Sequence, residues 1–374
     1  MIYNSLKWLV NALPPLRRWL NDNRVTLNKL KRTPEQNCVL PELIPKYRSQ
    51  RVKTMYGGCY MCNGIFVKAD NNLGCSCMIG YYYSLGDISK LNMAEFIEGP
   101  LIQYIRESFR EGYEPFSFCK YCVSRSTHYP ENADSDNPHS SDVQNLTIHV
   151  EPSNRCNLWC EACICTDERK SVNTPNRGEL EYRTFHKMLS EIKSTSINIK
   201  VVAFVGFGEP LFNSQLPAMA RLVRSLYPDC YIYLDTNANF GIKRADEISN
   251  CGINEIRLAL DGVDQVTYET YRKGGDFNRA IIFTQKLLAL IRNNGSSTHA
   301  IWKYILFKHN DKDEHILRAI KMANDIGIDI SFDLTAGDLA SSRPLSEIQS
   351  IVKSSKISMN LDAKFIAINQ AQAE

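Results

Sequence analysis

The chain has 374 residues, 44% of them apolar, with a formal net charge of +3. That is enough apolar material for a sizeable core, arranged as two domains or as one large domain with an appendage. So small a net charge makes no case for nucleic acid or acidic partners. The first segment, 1–52, is locally basic and opens with "MIYNSLKWLVNALPPLRRWL". Lys7 interrupts its apolar run and Pro14-Pro15 ends it, so it reads as an amphipathic helix and not as a signal peptide. Leu6, Leu9, Val10 and Leu13 are expected to pack on the protein itself, with membrane or partner docking as the alternative. Residues 53–125 contain CxxC and CxC units. Within them "GIFVKADNNLGCSC" reads as a hairpin, Ile65–Lys68 against Leu73–Cys77, turning at Asp70, Asn71 and Asn72. One helix is expected over "MAEFIEGPLIQYIRESF". Residues 126–144 are rich in Ser, Asp, Asn and Pro and read as a linker.

From 145 to 335 the pattern alternates. Strands are expected at "NLTIHVE", "IKVVAFVGF", "CYIYLDTN", "EIRLALDG", "HAIWKYILF" and "IDISFDL". Helices fall between them, the first with Leu180, Phe185, Met188, Leu189 and Ile192 on one side. Six strands and five helices in βα alternation imply a parallel sheet with right-handed crossovers. About 190 residues are too few for the roughly 250 of an eight-unit barrel. The expected fold is therefore α/β, a partial (β/α)6 TIM-like barrel with a small N-terminal cysteine-rich α+β module. Its chemistry is expected at the C-terminal strand ends. The tail, 336–374, shows weak helical periodicity.

Thirteen cysteines, an odd number without an export signal, argue against a disulfide framework and for metal in a reducing, cytoplasmic setting. The loop after the first strand of the repeat reads "CNLWCEACIC" and carries Cys156, Cys160 and Cys163. Structural zinc wants four ligands. A [4Fe–4S] cluster also normally takes four thiolates, so three leave one iron open for another ligand.

At these residues the sequence resembles the radical SAM superfamily, through the CxxxCxxC spacing of Cys156, Cys160 and Cys163. "GFGEP" (206–210) looks like that family's motif for the amino group of S-adenosylmethionine (SAM), with Gly206, Gly208, Glu209 and Pro210. Thr236 and Asn237 match a polar rim position after the third strand. Asp261 in "LALDG" resembles a rim residue facing SAM, and Arg272 lies in a recurrent stretch beyond it. Trp159 stands near the adenine position, Ala162 occupies a site that is often aromatic, and Ala259 one that often bears a hydroxyl. The resemblance implies SAM as cofactor, a core [4Fe–4S] cluster held by three cysteines, and an electron donor such as flavodoxin or ferredoxin. Cys165 is extra and reads as an inert thiol, with a rescue ligand or a hydrogen-atom donor as the alternatives.

The cysteine-rich module is similar to the twitch half of the SPASM module, which implies a second, auxiliary [4Fe–4S] cluster. Cys59, Cys77, Cys119 and Cys122 are the expected ligands, with Cys62 and Cys75 as alternatives. CxxC pairs serve structural zinc equally well. Cys230, Cys251 and His149 read as structural. The resemblance implies hydrogen abstraction by a 5′-deoxyadenosyl radical from a peptide substrate, or from a carbohydrate or other small metabolite. A non-catalytic, zinc-stabilised binding protein is the competing expectation.

Overall fold

The computed structural model describes residues 40–53, 58–59, 64–75, 83–117, 119, 125–126, 145–161, 163, 178–335 and 339–353. The expected N-terminal amphipathic helix, Cys62, Cys77, Cys122, Cys165, Ala162 and most of the linker lie outside them. No helix among the described residues is long and apolar enough to cross a membrane.

Two compact units emerge, and each is described by itself. The first comprises described residues from 40 to 155 and from 178 to 232. It begins with helix α1 (Ile44–Ser49) and strand β1 (Val52–Lys53). Then come β2 (Gly58–Cys59), β3 (Gly64–Val67), β4 (Asn72–Gly74) and β5 (Gly86–Asp87). β3 and β4 form the expected hairpin, with Val67 opposite Leu73. Asn71 turns it with a φ of 70°, a left-handed conformation that asparagine tolerates.

The single helix expected next is two helices, α2 (Met93–Ile97) and α3 (Pro100–Arg110). Pro100 has no amide hydrogen to continue α2, so it sits in the first turn of α3 instead. Strands β6 (Tyr113–Glu114) and β7 (Arg125–Ser126) pair antiparallel with β1 and β2.

The alternating region starts with β8 (Asn145–Val150), α4 (Tyr182–Lys193), β9 (Asn198–Phe204) and α5 (Leu216–Leu226). Phe185, Met188, Leu189 and Ile192 of α4 are fully buried, which is the stripe read from the sequence. β8 pairs parallel with β9, as expected. Its other edge pairs parallel with β3, Ile65 opposite Ile148. The N-terminal hairpin therefore extends the parallel strands directly. Lys187 of α4 donates to the Leu91 carbonyl at 2.6 Å, and Glu191 accepts from the Met93 amide at 2.9 Å, which ties α2 to α4.

The second unit contains described residues 156–161, 163 and those from 233 onward. Its elements are β10 (Tyr231–Thr236, in this unit from Tyr233), α6 (Ile242–Ile248), β11 (Glu255–Ala259), α7 (Gln265–Tyr271), α8 (Phe277–Asn293), β12 (His299–Leu306), α9 (Asp313–Ile326), β13 (Asp329–Leu334) and α10 (Leu345–Lys353). β10, β11, β12 and β13 pair parallel in that order. Burial alternates along each strand. Ile256, Leu258, Trp302, Tyr304 and Phe332 fill the covered face. In this unit two helices were not read from the sequence. In α7, Asp264 and Thr267 form a capping box, a local signal that "VDQVT" does carry. In α10, burial of Ile348 and Val352 supplies what weak periodicity did not.

The fold class is the expected α/β with parallel strands in βα alternation.

Candidate active site

Within the second unit the three thiols lie on one short loop. Cys160 is buried with Leu158, Tyr271 and Phe307, and Cys156 and Cys163 pack against that cluster. The Cys163 amide donates to the Cys160 carbonyl at 3.2 Å, closing the CxxC turn. Amides of Trp159 and Glu161 donate to the carbonyls of Lys273 and Tyr271, so the loop is pinned along 271–273. Trp159 itself is a large apolar side chain left 41% exposed.

Donors converge on the sulfurs. Cys156 Sγ accepts from the Leu158 amide at 3.5 Å and from Asn237 Nδ2 at 3.8 Å. Cys160 Sγ accepts from the Arg272 guanidinium at 3.8 Å. Burial pushes the Cys160 thiol up to about 11, against the pull of Arg272. As a free thiol it therefore stays protonated at neutral pH, and binding a metal has to displace that proton. N–H···S bonds and an apolar setting are among the features that tune the potential of an iron–sulfur cluster held by thiolates. Among the described residues, no three His, Cys, Asp or Glu side chains converge to hold a single ion. A cubane does not demand such convergence, because each thiolate meets its own iron. The donor set fits that group.

Asn237 is aimed by its turn. Its Oδ1 accepts from the Asn239 amide at 2.9 Å and its Nδ2 donates to Asn157 Oδ1 at 2.9 Å. Ala238 between them holds a φ of 57°, which an alanine adopts only when its surroundings impose it. Thr236 is buried and accepts from the Ala238 amide, so its hydroxyl shapes the same turn.

Asp261 and Arg272, read separately from the sequence, form a buried ion pair, Nε to Oδ2 at 2.6 Å. Asp261 Oδ1 accepts from the Ile305 amide at 2.7 Å. Burial is the largest influence on Arg272 and works against its charge, but Asp261 with Cys160, Tyr271 and Tyr268 together outweigh it and hold the guanidinium ionised well above its ordinary range.

The glycine-rich segment belongs to the first unit. A Cβ on Gly208 would lie 2.1 Å from the Ser153 carbonyl oxygen. One on Gly206 would lie 2.6 Å from Glu151 Cγ. The close approach these glycines permit is thus to the chain's own residues 151–154. Glu209 is buried and its Oε1 accepts from the Leu211 amide, capping the short turn Pro210–Phe212.

Glu151 was missed in the sequence. Its Oε1 accepts from the Phe207 amide at 2.8 Å and its Oε2 from the Ala69 amide at 3.2 Å. One fully buried carboxylate therefore joins the glycine-rich segment to the N-terminal hairpin. Burial raises its pKa, and the two amides and Lys68 pull the other way. The only sequence signal was an acidic residue directly after an apolar strand. Glu151→Ala is expected to speed amide exchange at Ala69 and Phe207 together, by about tenfold or more, and hydrogen exchange read by NMR or mass spectrometry checks it. Unchanged protection at both amides would remove Glu151 from this role.

Of the expected auxiliary ligands, Cys75 directly follows β4 and the Cys119 amide donates to the Phe116 carbonyl, each cysteine half-buried. For Cys59 only the backbone is described, paired with Arg125. Cys230, Cys251 and His149 are buried, and Cys251 donates to the Ile248 carbonyl.

A family model described as "Radical SAM superfamily" matches residues 150–338, half of the chain. The chain belongs to the radical SAM superfamily. Membership implies SAM and a [4Fe–4S] cluster as cofactors, and the superfamily's members are enzymes. Among its curated relatives is the FeMo cofactor biosynthesis protein NifB of Chlorobaculum tepidum, 23% identical over 49% of this chain and 46% of the relative. Another is the GTP 3′,8-cyclase of Desulforamulus reducens, 24% identical over 38% of this chain and 42% of the relative. The radical SAM chain thus spans about half the length of the curated relatives it matches. Solved structures with some likeness include anSMEcpe with bound AdoMet, at 18% identity, half of each chain and a TM-score of 0.39. Methylornithine synthase (PylB) aligns at 12% identity over 62% of this chain and 63% of its own, with a TM-score of 0.40.

Proposed function

We propose that this chain is a radical SAM enzyme whose Cys156, Cys160 and Cys163 ligate a [4Fe–4S] cluster with one iron left for SAM. When bound, these groups would supply one-electron reductive C–S cleavage chemistry and, through it, hydrogen abstraction from a substrate. The observation that carries the reading is the thiol loop itself, packed against apolar side chains and supplied with N–H donors from Leu158, Asn237 and Arg272. Arg272, neutralised by Asp261, orients toward Cys160 without adding net charge. Gly206, Gly208, Glu209 and Pro210 are proposed to receive the SAM amino group. Trp159, Thr236 and Asn237 are proposed to border the same cofactor.

An auxiliary cluster on four of Cys59, Cys62, Cys75, Cys77, Cys119 and Cys122 is part of the proposal, with a flavodoxin or ferredoxin as electron source. A peptide substrate rests on the resemblance to twitch and SPASM enzymes. A specific observation favours the second reading, a small polar metabolite: the part-exposed face of β10–β13 is lined with charge, including Asp235, Arg257, Lys303 and Asp333.

Protein purified without oxygen is expected to hold iron and sulfide at about eight each per chain for two clusters, or about four for one. With dithionite and SAM it is expected to release 5′-deoxyadenosine. Zinc without sulfide would turn the assignment to a zinc-stabilised binding protein.

A further inference from the structure

Beyond β13 the chain returns across the C-terminal end of β12. The Lys308 amide donates to the Leu339 carbonyl at 3.0 Å, and the Ser341 amide to the Leu306 carbonyl at 3.3 Å. Ala340 pairs antiparallel with Phe307, so residues 339–343 lie as a short strap along that strand end. Phe307 belongs to the apolar cluster that buries Cys160, and Leu339 packs against the same cluster, as Cys163 does. The strap thus adds an apolar side chain to the packing of the thiol loop. It comes from residues just past the matched family region, which ends at 338.

The strap is clamped at one end by polar groups. Ser341 Oγ donates to Asp311 Oδ2 at 2.6 Å, and Arg343 Nη1 donates to the Asp311 carbonyl at 2.6 Å. Arg343 also pairs with Asp313 at 2.7 Å and with Glu347 at 3.4 Å. Asp311 is buried, which strengthens a bond to its carboxylate. Its anchorage is firm. Asn310 donates to the carbonyls of Asp261 and Ile305, and its own carbonyl accepts from the Tyr304 hydroxyl. The strap itself buries Ala340 and half-buries Leu339. That is little apolar area against the entropy of ordering five residues, so the clamp has to supply the rest.

We infer that the strap shields the thiol loop from water, with Asp311, Ser341 and Arg343 as the positioning residues that hold Leu339 on it. The inference rests on the radical SAM reading for the iron–sulfur cluster, but not for the shielding of the thiols. Reduction adds negative charge to a cluster, and an apolar, water-poor setting disfavours that charge. Shielding therefore lowers the potential, and water admitted at the strap raises it.

Arg343→Met and Ser341→Ala each remove one arm of the clamp, whereas Asp311→Asn keeps an oxygen for Ser341. In the metal-free full chain, N-ethylmaleimide is expected to label Cys160 about tenfold faster in Arg343→Met and in Ser341→Ala than in wild type, read by peptide mass spectrometry. Asp311→Asn is expected to label close to the wild-type rate. In the iron-loaded chain, Arg343→Met is expected to release iron to a chelator about tenfold faster. Its cluster potential, followed by electron paramagnetic resonance during a redox titration, is expected to become less negative. Leu287→Ala, which opens a cavity under α8 in the same unit, is the control for lost stability alone. It is expected to unfold at lower denaturant while labelling, iron release and potential stay at wild-type values. Wild-type labelling in both clamp variants, an unmoved potential in Arg343→Met, or equal acceleration in Leu287→Ala would overturn the strap's role. Wild-type protein without iron and sulfide would defeat the cluster reading instead, and the labelling comparison would then decide the shielding alone.

Discussion

Cys160→Ala protein, purified without oxygen, is expected to lose iron and sulfide from the core site and to make at least roughly a hundredfold less 5′-deoxyadenosine than wild type. Cys160 is 6% exposed, and its sulfur is the one that meets the Arg272 guanidinium. An alanine there leaves an iron facing Leu158, Tyr271 and Phe307, none of which offers a soft donor. Water is a poor replacement in so apolar a setting. Cys251→Ala is the control. That thiol is just as buried and donates to a helix carbonyl in the same unit, so the variant is expected to cost about 1 kcal/mol of stability with iron and sulfide unchanged. Iron analysis and chromatography of the nucleoside check both variants. If Cys160→Ala matched the wild type in iron and in nucleoside, the three-thiol assignment would be untenable.

Arg272→Met is expected to lower unfolding free energy by about 3–5 kcal/mol, the usual cost of stranding one member of a buried ion pair. Asp261 has no exposure, and its Oδ2 carries the charge that Arg272 neutralises. The Ile305 amide satisfies the other oxygen and does not offset that charge. Iron retention should fall as well, since the variant deletes the donor to Cys160. Combining Arg272→Met with Asp261→Asn is expected to cost clearly less than the sum of the two single changes, because the stranded charge is gone. Denaturant unfolding of the four proteins closes the cycle. Simple additivity would mean that the pair does not act as one unit.

Much of the local architecture was legible in the chain because burial leaves a period. The stripe Phe185, Met188, Leu189 and Ile192 recurs every three or four residues, and α4 buries those side chains. The run "IKVVAFVGF" has no polar interruption after Lys200, and β9 pairs within parallel strands. The split of the expected 93–109 helix is also written locally, in Gly99-Pro100, but the apolar spacing continues across the break and masks it.

Other features had no local signature. Asp261 and Arg272 stood out as polar residues near strand ends, but their pairing needs α7 to return the chain past β11. Glu151 looked like an ordinary strand terminus until two amides from distant segments were found on its carboxylate.

The sequence by itself determined the α/β alternation, the three-thiol loop, the glycine-rich turn and the hairpin at Asn71, because each depends on neighbours within a few residues. Only the tertiary structure decided that β3 lies parallel to β8, that Glu151 pins Phe207 to Ala69, and that Lys303 crosses Ala259 to reach Asp235. Strand order and register join segments far apart in the chain. No period within a segment encodes which other segment will lie beside it.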